Sequence, residues 1–171
     1  MGRRHAAALT TVLLVAGTGW GPCDSVDGSL EPLSDAVKRA ARTHEPFRLA
    51  SVTEFEWDRV YAFPPYTSPE AIEHELGFDW GGAGDSESRS NDVWYLLVFV
   101  NGGQVVRAFD HEMVRGHLAC IASSVVEGGL TPDQAVLRVS GTASGSGLVW
   151  LARPRDAREA RRIERCRRTY S

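Results

Sequence analysis

Apolar and polar positions change period several times along this chain, and each change marks an element. In LEPLSDAVKRAART (30–43), Leu33, Val37 and Ala40 or Ala41 recur at three- to four-residue steps, which predicts a helix with one buried stripe. FRLASVTEF (47–55) reads as a strand. WDRVYAF (57–63) alternates: Trp57, Tyr61 and Phe63 fall on one face with Phe55 and Arg59, and Val60 and Ala62 fall on the other. Apolar side chains on both faces predict a strand covered from both sides, and Pro64 and Pro65, which lack the ladder donor, end it. A helix start follows, with Thr67 as N-cap, Glu70 reaching back in a capping box, Tyr66 and Ala71 as staple, and Pro69 in the first turn. Ile72 and Leu76 face inward, and Gly77 stops the helix.

The second half is organised around a hairpin. GFDWGGAGDSESRSND (77–92) has no period and predicts a mobile loop. VWYLLVFV (93–100) is apolar on both faces, as a central strand is, and Asn101-Gly102 turns it into QVVRAF (104–109). Residues 110–129 suit either a loop or a short helix, 131–141 a capped turn leading into a strand, and 147–154 another strand. The last stretch is a polar helix, with Pro154 in its first turn and Glu164 paired to Arg168. The sum is an α+β fold of about five mostly antiparallel strands, with about three helices packed on the sheet.

The N-terminus changes the picture from a fold to a location. Arg3, Arg4 and His5 precede an apolar run of about a dozen residues (6–17), too short to span a bilayer, and a polar acidic stretch follows. We therefore expect a signal peptide over 1–22, a linker over 23–30, a single α+β domain over 31–153 and a basic helix over 154–171. Cys23 stands where the lipid-modified cysteine of a bacterial lipoprotein stands, although Pro22 and Trp20 depart from that signal, so lipidation and plain secretion both stay open. Three cysteines in an exported chain suggest one disulfide, and a Cys120–Cys166 bond leaves Cys23 over.

Charge is segregated. Beyond residue 22 the chain carries 17 basic and 22 acidic groups, and its last 19 residues alone hold eight arginines against three acids. The body up to Ala152 is then near −10 and the tail +5. An acidic body argues against a nucleic-acid partner, which needs a basic face.

Candidate chemistry is sparse. DHEMVRGH (110–117) holds half of the four histidines beyond residue 22, and Asp110, His111 and His117 make a candidate three-ligand metal site. His111 and His117 are six residues apart, so they can converge only from a loop, not from a helix. His117 with Cys120 suggests a thiol and its base, a role a disulfide would remove. Glu54, Glu56 and Asp58 are the candidate carboxylate pair of a glycosidase, sharing one strand face. GTASGSG (141–147) fits neither a nucleophile elbow nor a dinucleotide loop, and no motif for a cofactor is present.

The segment WDRVYAFPPYTSPEAIEHELG (57–77) resembles the motif W-D-[RK]-x-Y-x-F-x-P-Y-[TS], followed by a short acidic helix ending in L-G, of a family of small bacterial secreted proteins and lipoproteins. The match runs through Trp57, Asp58, Arg59, Tyr61, Phe63, Pro65, Tyr66, Thr67, Leu76 and Gly77. The resemblance implies export and an α+β fold, and lends no activity. Trp57, Arg59, Tyr61 and Tyr66 are the candidate surface for a ligand or partner, since amphipathic rings with arginine are what interfaces favour. The expected function is that of an exported cell-envelope or secreted module that binds or supports rather than catalyses, secreted or anchored to the outer face of the cytoplasmic membrane. The rival expectation is a small envelope hydrolase with a metal or carboxylate site.

Overall fold

The computed structural model describes residues 23–141 and 147–170, so the expected signal peptide and the centre of GTASGSG lie outside the described residues. The fold is α+β, with three α-helices and six antiparallel strands in two three-stranded sheets. That is one strand more than the periodicity suggests.

The first sheet has the order β2 (Arg59–Phe63), β3 (Trp94–Asn101), β4 (Gln104–Glu112). Its β3 is the central strand its two-sided apolar pattern requires, with six consecutive buried residues, Tyr95 to Val100. The β3–β4 turn pairs Asn101 with Gln104 across Gly102 and Gly103, whose φ angles of 60° and 78° are the left-handed values this tight turn demands. Asp58 secures it by accepting a 2.8 Å bond from the Gly102 amide.

Because β3 is apolar on both faces, both must be covered. On one side lie helix α1 (Glu31–Thr43), through Leu33, Val37, Ala40 and Ala41, and the second sheet, β1 (Phe47–Arg48), β5 (Val136–Val139) and β6 (Val149–Leu151) in the order β1-β5-β6. On the other lies α2 (Pro69–Leu76), through Ile72 and Leu76, joined by Trp80 and Ala83. Phe99 centres the first core, with ring centroids at 5.1 Å from Phe55, 5.4 Å from Trp57 and 6.0 Å from Phe109.

Several local expectations are corrected. The 47–55 strand shrinks to two residues, because Leu49–Ser51 coil into a 3₁₀ turn in which the Leu49 amide donates to Ala135 and Ser51 Oγ to Arg48. Trp57 precedes β2 and turns its ring to the α1 side with Val60 and Ala62, opposite Tyr61 and Phe63, which stack at 6.1 Å on the α2 side. The N-cap of α2 is Ser68, whose oxygen accepts from the Ala71 amide; Thr67 instead donates to the Pro64 carbonyl. The glycine- and serine-rich stretch holds two 3₁₀ turns, Gly81–Gly84 and Glu87–Arg89, tied down by buried Trp80, Ser86 and Ser88. Residues 110–129 hold the end of β4 and two 3₁₀ turns, Met113–Arg115 and Leu118–Ile121, and no α-helix. Residues 23–27 run along the open edge of β4: the Cys23 amide donates to Val105, that of Asp27 to Ala108, and that of Asp110 back to Asp27. Those bonds shield an edge strand that would otherwise invite pairing with another chain.

The last helix, α3 (Ala157–Thr169), begins at Asp156, which accepts from the Glu159 amide. It is joined to the Leu118–Ile121 turn by the Cys120–Cys166 disulfide, whose Cα atoms are 5.5 Å apart. The 3.8 Å pairing of Arg168 with Glu164 is present, as the i,i+4 spacing requires.

Phe99 is fully buried among three other rings, so Phe99→Ala should lower unfolding stability by about 3–5 kcal/mol in chemical denaturation. A loss under about 1 kcal/mol would mean that this cluster is not the centre of the core.

Candidate functional site

The three candidate metal ligands do not converge. Asp110 and His111 are neighbours on β4, so their side chains leave opposite faces of the sheet. Asp110 is buried and already satisfied: Ser86 Oγ donates to one carboxylate oxygen at 2.6 Å and the Glu87 amide to the other at 2.9 Å. His111 is fully buried on the α1 side. Its Nε2 lies 3.1 Å from the Gly116 carbonyl, which can only accept, so Nε2 carries the proton and Nδ1 is a buried lone pair with no partner. Burial pushes the His111 pKa down to about 4. Among the described residues no group of three His, Cys, Asp or Glu side chains is placed to hold a metal ion.

The other candidates are also dispersed. Trp57 is buried and its Nε1 donates to Thr53 at 2.9 Å. Tyr61 is buried on the opposite face, and its pKa is raised chiefly by that burial. Arg59 is exposed and donates to the Gly128 carbonyl at 2.9 Å. Tyr66 is exposed, with the left-handed φ of 64° uncommon for an aromatic residue. Trp57, Arg59, Tyr61 and Tyr66 therefore build no common surface. Glu54 and Glu56 are exposed on the chain leading to β2, and Asp58 serves the hairpin turn. Cys120 is committed to the disulfide, so it is no nucleophile for His117. Cys23 is a half-buried free thiol whose carbonyl accepts from Trp80 Nε1 at 2.7 Å.

His117 stands apart from these residues because it lines two large cavities at once. Its main chain is held against the outer edge of β6: the amide donates to Gly147 at 3.0 Å and the carbonyl accepts from Val149 at 2.9 Å. Those two bonds fix the ring between Tyr170, just beyond the end of α3, at 4.5 Å between centroids and Tyr95 of β3 at 5.8 Å. Tyr95 Oη and His117 Nε2 lie 3.4 Å apart. Burial holds the His117 pKa below its ordinary value and raises that of Tyr95, so the pair is a neutral imidazole beside a neutral phenol at neutral pH.

Two cavities meet at His117. One, of about 470 Å³, is lined by Val93, Met113, Val114, Leu148 and Tyr170, with Glu112 and Ser140 at its polar edge. The other, of about 720 Å³, runs beside α3 past Arg162, Arg165 and Thr169 to Pro64, Pro65 and Asp92. They share Met113, His117 and Tyr170, so they form one groove with an apolar and a polar end. Three of the four large exposed apolar side chains among the described residues, Val93, Val114 and Tyr170, line its apolar end. The sequence signal for it was available: the Met113-Val114 pair and Tyr170 are apolar side chains set within polar stretches, where they have no core to enter.

Comparison with known proteins leaves the groove to be read on its own chemistry: no protein-family model, no curated protein and no solved structure matches this chain.

Buried His111 and half-buried His117 set an acid limit on stability. His111 binds a proton only near pH 4 when folded and near 6.5 when unfolded, so the unfolded chain takes up more protons in that window. Stability should fall as pH drops from about 6.5 to about 4, by roughly 3 kcal/mol from His111, with a further contribution in the same direction from His117. His111→Gln keeps a donor for Gly116 without the titration; denaturation across this range should show a flatter slope in the variant, and an unchanged slope would remove His111 as its source.

Proposed function

We propose that the protein is an exported cell-envelope or secreted module that acts by binding a small ligand in the His117–Tyr170 groove. The observation that carries this reading is the gathering of Val93, Val114 and Tyr170 around one cavity. Exposed apolar side chains scattered singly need no explanation, but a group of them lining a concave site is what ligand sites look like. Each of the two cavities that make up the groove lies within the size range of small-molecule sites. Its polar groups include a neutral histidine beside a neutral phenol, the hydroxyls of Ser124, Ser140, Thr169 and Tyr170, two arginines and two carboxylates, a mixture suited to fixing a ligand by hydrogen bonds.

Export is supported by the short apolar run after a basic start and by the Cys120–Cys166 disulfide, a bond that persists most readily outside the cytosol. The resemblance to small bacterial secreted proteins and lipoproteins points the same way. Whether Cys23 carries a lipid decides only how the module is held, and its place at the edge of β4 would then bring that edge close to the bilayer.

Both halves are testable. Expressed from its full-length precursor in a bacterium, the chain should appear outside the cytoplasm without residues 1–22, with Cys120 and Cys166 protected from alkylation; an intact N-terminus in the cytosol would contradict export. Cys23→Ala should release a lipid-anchored form from membranes and leave a secreted form where it was. For the groove, the neutral apolar dye Nile red should bind saturably, and Val114→Asp should weaken it about tenfold or more, since the carboxylate enters the apolar end. Saturable dye binding untouched by Val114→Asp, or no saturable binding, would contradict the groove as the site.

A further inference from the structure

Resting on the groove as the binding site, we propose that its ligand is an amphipathic anion: a single carboxylate or phosphate-type head on a short apolar chain. The two ends of the groove are chemically unlike. Val93, Val114 and Leu148, with the Tyr170 ring, make one end mainly apolar, with Glu112 and Ser140 at its edge. At the other, Arg162 and Arg165 project from α3, and their states differ. The Arg162 guanidinium is spent within the protein, its Nε donating to the Val125 carbonyl at 2.7 Å and its Nη1 meeting Glu127 at 3.1 Å. The Arg165 guanidinium has no hydrogen bond or ion pair among the described residues, so its donors are available to a head group.

The body of the chain is acidic, but the charge of the groove wall itself favours the same sign. The last 19 residues carry a net +5, and exposed Arg158, Arg161 and Arg168 lie on the helix that walls the groove. One group opposes an anion: Asp92 lines the same end, exposed. Glu112, at the apolar end, lies 3.6 Å from Arg115. Between the ends stand His117 and Tyr95, neutral at neutral pH and able to give or take one hydrogen bond without asking for a charge. A cation would face Arg165, and a wholly neutral ligand would leave it unused.

The sign of the charge can be read directly by titrating the full chain, disulfide intact, with decanoate and with decyltrimethylammonium at equal chain length, both below their micelle concentrations. Decanoate should bind as one saturable equivalent and the cation at least about tenfold more weakly. Arg165→Ala should weaken decanoate about fivefold or more, and Asp92→Asn should tighten it, while Nile red binding changes little in either variant. Opposite effects of the two substitutions exclude a general loss of fold, because both residues are exposed. Equal binding of anion and cation, or a decanoate affinity indifferent to Arg165 and Asp92, would overturn the anion and leave the groove reading intact if Nile red still responds to Val114→Asp. Vesicles of phosphatidylglycerol separate the sources of such an anion. The proposal expects monomeric decanoate to compete with Nile red and the vesicles not to retain the protein. Retention by vesicles without binding of monomeric decanoate would overturn it in favour of a membrane surface.

Discussion

Helix α3 has almost nothing apolar with which to hold itself to the protein. Of its thirteen residues only Glu159 and Ile163 are buried, and six are arginine. Such a helix would be marginal by itself. The Cys120–Cys166 disulfide binds it to the Leu118–Ile121 turn, and closing a separation of 46 residues contributes about 4 kcal/mol in the chain-entropy view. At the other end, Arg155 donates to Glu159 and to the carbonyls of Glu127 and Gly129. The buried Glu159 carboxylate is thus compensated by a guanidinium that is itself tied to the main chain, the condition under which an ion pair away from water is tolerable. The groove exists because α3 is pinned here: remove the helix, and Arg162, Arg165 and Tyr170 leave the wall.

The opposite wall comes from the core of the fold. Strand β3 needs cover on both faces, and this requirement sorts the chain into an α1 side and an α2 side. Tyr95, on the α1 side of β3, reaches the groove floor, and Pro64 and Pro65, which end β2, form its far margin. The aromatic segment around Tyr61 is therefore connected to the groove without furnishing its rings: Trp57 and Tyr61 are committed to opposite cores, and the prolines that follow them face the cavity. His117 enters from a third direction, held by main-chain bonds to the edge of β6. A site assembled from β3, β6, the β2 terminus and α3 draws on residues far apart in sequence.

That dispersal explains what could and could not be read from the sequence. The hairpin, the central place of β3, the α2 stop at Gly77 and the final helix all rest on patterns within a dozen or so neighbours, and they are legible. The Cys120–Cys166 bond was only half legible: cysteine arithmetic offered it as one pairing beside others and beside free thiols, and the 5.5 Å approach of the two Cα atoms comes from the fold. Trp57 was misplaced because strand alternation was extended two residues too far: β2 begins at Arg59, and before it the parity of faces no longer holds. The 77–92 stretch looked mobile from its glycines and serines, yet the buried Ser86 hydroxyl, itself bonded to Ser88, and the Glu87 amide satisfy Asp110 from across the fold. The same long-range bonding removed Asp110 from any metal site. His117 was singled out for the wrong company, since its neighbours in space, Tyr95 and Tyr170, carry no mark of proximity in the sequence.

The dependence of the groove on the pinned helix is open to one direct measurement, amide hydrogen exchange of the chain before and after reduction of its disulfide. Exchange of α3 amides from Ile163 to Thr169 should accelerate strongly on reduction, while those of β3 and β4 keep their protection. Protection of α3 that survives reduction would contradict the account, because polar contacts alone would then suffice to hold the wall. Loss of protection throughout β3 would contradict it as well, by making the disulfide a support of the whole fold rather than of the groove.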